Sequence, residues 1–303
     1  MSIKVKGLVK YYGEQKALDD VGFEVHPGEI VGFVGPNGAG KTTTMKVLTG
    51  YTMPDQGEAW VNDRRVADDH LNIRRNIGYL PEHNPLYPHM YIKEYLEYVS
   101  GLYSLGRQTS ERINQVIALT GLEKEKKKKI GALSKGYRQR TGLAQAIIHD
   151  PDVLILDEPT SGLDPNQIEQ IRNMISRLGQ EKTVLLSTHI MQEVEAICDR
   201  IVIINNGRIV ADDKVDQISA SFEGSKQTVV VEFDRAVDPE LLHRIEGVSQ
   251  LKKMDDTNWL FESVSDEDIR QRIFQFAVSN SLSVLSMQKK QKSLEEVFRE
   301  LTQ

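Results

Sequence analysis

A single cysteine, Cys198, occurs in 303 residues. No disulfide can form within the chain, and the sequence suits a reducing compartment such as the cytoplasm. Long apolar runs are missing as well: none approaches the roughly 18 to 20 residues that a helix needs to cross a bilayer. The opening MSIKVKGLVKYYG alternates as a strand does and has no apolar core of the kind found in secretory signals. There is no excess of positive charge. Lys and Arg number 38 against 44 Asp and Glu, a formal net charge of −6, which argues against a nucleic-acid partner held through a basic surface. The one strong local charge block, Glu123 to Lys129 (EKEKKKK), reads as the solvated end of a helix. What is present, 39% hydrophobic and 27% charged residues, is the composition of a globular chain long enough for two domains.

Short apolar runs alternate with helical patterns through the first two thirds. VGFEV is followed by the turn HPGE, and EIVGFVG is an apolar strand stopped by glycine. TTTMKVLTG continues as a helix ending at Gly50, and EAWVND is a further strand. From Tyr91 to about Leu119 the pattern is helical, with Tyr91, Tyr95, Tyr98 and Leu102 forming a stripe expected to lie in the core. Then come VLILDEP (strand), QIEQIRNMISRL (helix), TVLLSTH (strand) and IVIINNGRIV, a hairpin about Asn206-Gly207. The pattern predicts an α/β fold with a mostly parallel sheet covered on both faces. The small, polar stretch Ser219 to Ser225 reads as a linker. Beyond it the order β-α-β-β-α-β and a closing helix predict a small split βαβ (ferredoxin-like) α+β domain. Expected boundaries are 1–220 and 226–303. The second domain has no motif that carries chemistry and is most simply an accessory or dimer-contacting module.

Gly35, Pro36, Asn37, Gly38, Ala39, Gly40, Lys41 and Thr42, followed by Thr43, satisfy the pattern Gly-x4-Gly-Lys-Ser/Thr. A strand precedes them and a helix follows, the context a phosphate loop requires. Gly38 and Gly40 let backbone N–H groups turn inward around phosphates, and the helix N-terminus adds partial positive charge. Lys41 reaches the outer phosphates as a point charge, and the Thr42 hydroxyl can ligate Mg2+. VLILDEP places Asp157 at the C-terminal end of a buried strand, where open α/β sheets bind ligands. Successive strand residues point to opposite sides, so the two carboxylates divide the work: Asp157 for the metal, Glu158 as a base for the attacking water. A lone histidine is more often structural. His189, however, ends the next apolar strand and can lie level with Asp157, within reach of a γ-phosphate.

Together these residues resemble the ATP-binding cassette (ABC) ATPases over residues 1 to about 220. That resemblance implies a P-loop NTPase cassette with a mixed, mainly parallel sheet and a helical subdomain at about 83–150. ATP and Mg2+ would be its cofactors, and ATP hydrolysis its activity. LSKGYRQR looks like the family signature, normally Leu-Ser-Gly-Gly-Gln. Ser134 and Gly136 match, while Lys135 and Tyr137 depart from it, leaving a serine hydroxyl and a helix N-terminus but no glutamine amide. Ser161 to Pro165 (SGLDP) looks like the D-loop, which brings in Asp164, and His189 looks like the switch histidine. Tyr12 matches the aromatic that stacks on adenine. At the Q-loop position stands Glu82, a carboxylate that can also ligate Mg2+ but adds a negative charge.

In such ATPases two cassettes lie head to tail, and the signature of one closes on the nucleotide of the other. This chain has one cassette, so the resemblance implies a second nucleotide-binding subunit, with a homodimer expected. YLPE, the signature and the ending SLEEVFREL are similar to ATPase subunits of ABC-2-type exporters, and GYLPEHNPLYPHMY to the gliding-motility-associated subgroup. Transmembrane permease subunits would be partners, and the site of action the inner face of the cell membrane. The alternative is a soluble ABC protein working on ribosomes or DNA. Such proteins usually carry two cassettes in one chain or a long coiled coil, and this chain has neither. A P-loop kinase or GTPase would lack LSKGYRQR and SGLDP.

Overall fold

The computed structural model of the chain describes residues 1–221, 227–263, 268–290 and 293–303. They divide into two compact units, Met1–Val215 with Leu301–Gln303, and Asp216–Glu300. The expected linker splits: Ser219 to Ser221 are helical, and 222–225 lie outside the described residues.

In the first unit, β1 (Ile3–Tyr12) and β2 (Gln15–Val25) form a hairpin that joins β4 (Gln56–Val61) and β5 (Arg64–Arg65) in an antiparallel sheet of order β2-β1-β4-β5. The larger sheet has the order β10-β9-β3-β8-β7-β6, built from β3 (Ile30–Val34), β6 (Ile77–Leu80), β7 (Val153–Asp157), β8 (Thr183–Thr188), β9 (Arg200–Asn205) and β10 (Arg208–Lys214). β6, β7, β8, β3 and β9 run parallel, and β10 returns antiparallel on β9. The returning turn has Asn206 and Gly207 at φ 48° and 77°, the left-handed pair that a tight hairpin demands. Every residue of β3, β7 and β8 is buried, as continuous apolar runs in a doubly covered sheet require. The helices of this unit are α1 (Lys41–Leu48), α2 (His70–Asn76), α3 (Ile92–Leu102), α4 (Thr109–Leu119), α5 (Lys135–Ile147), α6 (Pro165–Gly179) and α7 (Met191–Ile197).

Register brings the functional ends together. Val34 of β3 pairs with Thr188 of β8, and Ser187 of β8 with Asp157 of β7. The loops that leave β3, β8 and β7 therefore open at one edge, with β8 in the middle.

Two expectations in the helical stretch are corrected. Helix α3 buries Ile92, Tyr95, Leu96 and Val99, the spacing i, i+3, i+4, i+7 of a core-facing stripe. Of the expected aromatic stripe only Tyr95 is in the core. Tyr91, Tyr98 and Leu102 are exposed, and Tyr98 instead packs its ring 5.7 Å from that of Tyr87. The stripe lies on the flank of the helix because a 3.6-residue period admits two neighbouring registers, and the aliphatic one wins. The lysine block is exposed, but it forms turns after α4, not a helix end: Gly121 at φ 65° has already closed the helix.

α8 (Val215–Ser221) leads into the second unit, where β11 (Gln227–Phe233), α9 (Pro239–Leu242), β12 (Val248–Lys253), β13 (Asn258–Ser263), α10 (Arg270–Ser279), β14 (Val284–Lys290) and α11 (Leu294–Thr302) follow. The antiparallel order β12-β13-β11-β14 is that of a split βαβ fold. Its core holds Val229, Val231, Phe233, Trp259, Phe261 and Ile273. Among the described residues no helix is long and apolar enough to cross a membrane.

Candidate nucleotide site

The loop after β3 is shaped by two glycines. A Cβ on Gly35 would lie 2.3 Å from the Ile204 carbonyl oxygen, so β9 admits no side chain there. Gly40 has φ 115°, and its Cβ would lie 2.8 Å from Ala17 O, a conformation and an approach that only glycine allows. Gly40 caps α1, which starts at Lys41. The Lys41 side chain is 6% exposed. Its ammonium donates to Gly35 O at 2.7 Å and Pro36 O at 3.3 Å.

Asp157 is fully buried. Its Oδ1 accepts from Ser187 Oγ at 2.6 Å, and its Oδ2 is buried with no hydrogen-bond partner among the described residues. Burial pushes its carboxyl above the usual carboxylate range, opposed by the Ser187 and Thr42 hydroxyls and Lys41 and reinforced by Glu82. Glu158 leaves the strand in a left-handed conformation, φ 48°, which costs a non-glycine residue about 1–3 kcal/mol. This turn, rather than the strand alternation that the sequence suggested, sends the two carboxylates in different directions. Glu158 N donates to Ser187 Oγ at 2.9 Å. Its Oε1 lies 3.5 Å from Lys41 Nζ and its Oε2 2.9 Å from Nδ1 of the half-exposed His189.

A cavity of about 470 Å³ is lined by Tyr12, Asn37, Gly38, Gly40, Lys41, Thr42, Thr43, Glu82, Glu158 and His189, with Gln15, Ala17 and Ser161. Tyr12 ends β1 half exposed, with Lys10 Nζ 5.9 Å from its ring centre. Tyr11, equally exposed, does not line the cavity. Asp157 opens instead on an adjoining cavity of about 640 Å³ that shares Thr42 and Glu82 with the first. Gln15 and Ala17 were missed because β2 supplies them through the hairpin register, Gln15 opposite Tyr12. Ser161 was read only as part of a motif.

The remaining expected residues do not line the phosphate-loop cavity of their own chain. Gly35, Pro36 and Ala39 shape the loop from behind, Ala39 N donating to Pro36 O. Ser134 caps α5, accepting from Tyr137 N. Gly136 is buried against Gln167, whose Oε1 would lie 2.4 Å from an added Cβ, and the Lys135 ammonium crowds Gly162. Asp164 caps α6 by accepting from Gln167 N at 3.0 Å.

Metal binding passes a test of donor chemistry. The orphaned Asp157 Oδ2, the Thr42 hydroxyl and the Glu82 carboxylate are hard oxygen donors. Among the described residues no cluster of three or more His, Cys, Asp or Glu could hold a metal alone.

A family profile described as ABC transporter matches residues 18–161, and one described as ATP-binding protein DrrA1-3-like, C-terminal domain, matches 214–302. The ABC transporter ATP-binding protein YxlF of Bacillus subtilis is 33% identical over 300 residues, covering 98% of both chains. The chain belongs to the ABC transporter ATP-binding proteins. A second relative of this ABC ATPase is the Nod factor export ATP-binding protein I of Ralstonia nicotianae, 38% identical over 71% of this chain and 68% of that one. Among solved structures, the dimeric ATP-binding cassette MJ0796 in a post-hydrolysis state with ADP and Pi superimposes with a TM-score of 0.65 at 26% identity, over 70% of this chain and 98% of that one. The first unit is thus a P-loop NTPase cassette that binds and hydrolyses ATP.

Proposed function

We propose that this ABC ATPase is the energy-coupling subunit of an exporter, working from the inner face of the cell membrane on separate transmembrane permease subunits. One observation carries the catalytic reading: the Glu158 carboxylate faces the phosphate-loop cavity with Lys41 on one oxygen and His189 on the other. In this reading Lys41 and the N–H groups of the loop hold the outer phosphates of ATP. Tyr12 stacks on the adenine at the mouth. Thr42, Asp157 and Glu82 hold Mg2+, which neutralises charge on the phosphates when bound. Glu158 takes the proton of the attacking water, and His189 orients Glu158 and contacts the γ-phosphate. The Ser134, Lys135, Gly136 and Asp164 region serves a second copy of the chain, in keeping with its position away from its own cavity.

Export is supported by the Nod factor export relative and by a surface for a membrane partner. The segment 83–88 carries the half-exposed Tyr87 beside Tyr98 and reaches the site through Glu82. ATP closes the dimer, hydrolysis reopens it, and the motion passes to the permease. Affinity purification of a tagged chain from membranes tests this reading. A polytopic membrane protein that co-purifies and stimulates ATP hydrolysis is expected. A cassette that pellets with ribosomes or nucleic acid and leaves the membrane fraction empty would overturn it.

A further inference from the structure

The loops after β7 and β8 carry Glu158 and His189, yet ladder pairing between these strands ends at Asp157 and Ser187. Beyond that point the two loops meet directly at Glu158 and His189 and are also joined through a third element. Glu193, in the first turn of α7, is 2% exposed. Its Oε1 accepts from Thr160 Oγ1, two residues beyond Glu158, and its Oε2 accepts from Thr188 Oγ1 at 2.7 Å, one residue before His189. Both threonines are buried, at 2% and 0% exposure, and Thr188 Oγ1 also accepts from Ile190 N at 3.1 Å. None of the three side chains lines the nucleotide cavity.

Desolvating a carboxylate is costly, and an apolar side chain could pack α7 onto the sheet without that cost. A carboxylate does what an apolar group cannot: it takes two hydroxyl donors at a fixed separation, through strong, directional bonds. We propose that Glu193 is a positioning residue for ATP hydrolysis, its carboxylate clamping the Thr160 and Thr188 hydroxyls together so that Glu158 and His189 meet at the γ-phosphate. The proposal rests on the reading of Glu158 and His189 as the hydrolytic pair. A displacement of about 1 Å at such a pair is enough to lower turnover on the order of 100-fold.

The test uses the full chain and near-isosteric changes: Thr160→Val, Thr188→Val and Glu193→Gln, with Thr160→Ser and Thr188→Ser as hydroxyl-keeping counterparts. ATP affinity, kcat and Tm are measured for each, beside Glu158→Gln. Each valine variant, and Glu193→Gln, should lose kcat roughly tenfold or more, with ATP affinity within about twofold of native, because the phosphate loop is untouched. The serine variants should recover most of the rate even where Tm falls. Valine variants that turn over at the native rate while Glu158→Gln is inactive would overturn the clamp and leave the site reading standing. So would a loss of kcat that serine does not restore, or one that tracks Tm across all five variants. A Glu158→Gln chain with native turnover would instead remove the hydrolytic pair on which the clamp depends.

Discussion

The two units treat buried polarity in opposite ways. In the first, Lys41, Asp157, Glu158 and Glu193 are all under 9% exposed. In the second, the buried polar residue among those described is Ser263, and the core is built from apolar side chains that include Trp259, Phe233 and Phe261. The strands explain the contrast. β7 is buried at every residue and runs parallel to its neighbours, so its C-terminal end, with those of β3 and β8, opens at a single edge where loops, amides and carboxylates converge. β13 alternates buried and half-buried residues in an antiparallel sheet, where successive strands end at opposite edges and nothing accumulates. Charge is kept where it does chemistry, and elsewhere burial is apolar.

The comparison breaks most sharply at Glu158. Glu158→Gln should preserve ATP binding and stop turnover, a loss on the order of 100-fold or more, because an amide cannot accept the proton. Nucleotide binding and single-turnover hydrolysis measured side by side check this, and the trapped species should be an ATP-bound dimer.

The second unit should respond in stability instead. Trp259→Ala removes a side chain that is 1% exposed and should cost about 3–5 kcal/mol. Denaturant unfolding followed by probes in each unit should show the loss in Asp216–Glu300, with ATP binding by the cassette retained.

A third test uses pH. His149, stacked on Tyr103 with ring centroids 3.8 Å apart, donates from Nε2 to Ile77 O and leaves Nδ1 buried with no hydrogen-bond partner among the described residues. Burial is the main cause that lowers its pKa from 6.5 to about 4. The unfolded chain therefore binds a proton more readily than the folded one. The stability this group contributes is complete above about pH 6.5 and is lost as pH falls towards 4, by at most about 3 kcal/mol. His149→Phe should flatten that slope in urea titrations at pH 7 and pH 5. The smallest effect is expected at Tyr12, where Tyr12→Ala should weaken nucleotide binding by roughly 1–3 kcal/mol. Adenine and guanine nucleotides should suffer alike, and an unchanged Kd would remove Tyr12 from the base-stacking role.

The parts that were legible in sequence are those built from short-range pattern. The apolar runs of β3, β7 and β8, the phosphate loop and the hairpin at Asn206-Gly207 each follow from contiguous residues. The β-α-β-β-α-β order of the second unit followed in the same way. What escaped depends on distant contacts. Gln15 and Ala17 reach the cavity through pairing across β1 and β2, and Glu193 meets Thr160 only because β7 and β8 are neighbours. The turn at Glu158 resembles a continuing strand until its φ is known. The signature region was legible as a motif, but its own cavity does not use it. The central proposal is that LSKGYRQR serves a nucleotide held by another copy.

Complementation tests this directly. Lys41→Ala removes the ammonium that is proposed to hold the outer phosphates. Ser134→Asp keeps an acceptor that caps α5 and sets a negative charge against an incoming γ-phosphate; Gly136→Asp is less clean, because it would drive a side chain into Gln167. Each variant alone should be nearly inactive in single-turnover hydrolysis. In a mixed dimer both defects fall in one composite site, and the other site joins an intact phosphate loop to an intact signature. With random mixing, roughly a quarter of all sites should be whole and should hydrolyse ATP at the native rate. Mixed dimers verified by differential tagging that recover no hydrolysis, while native chains pass the same assay, would contradict action across the interface.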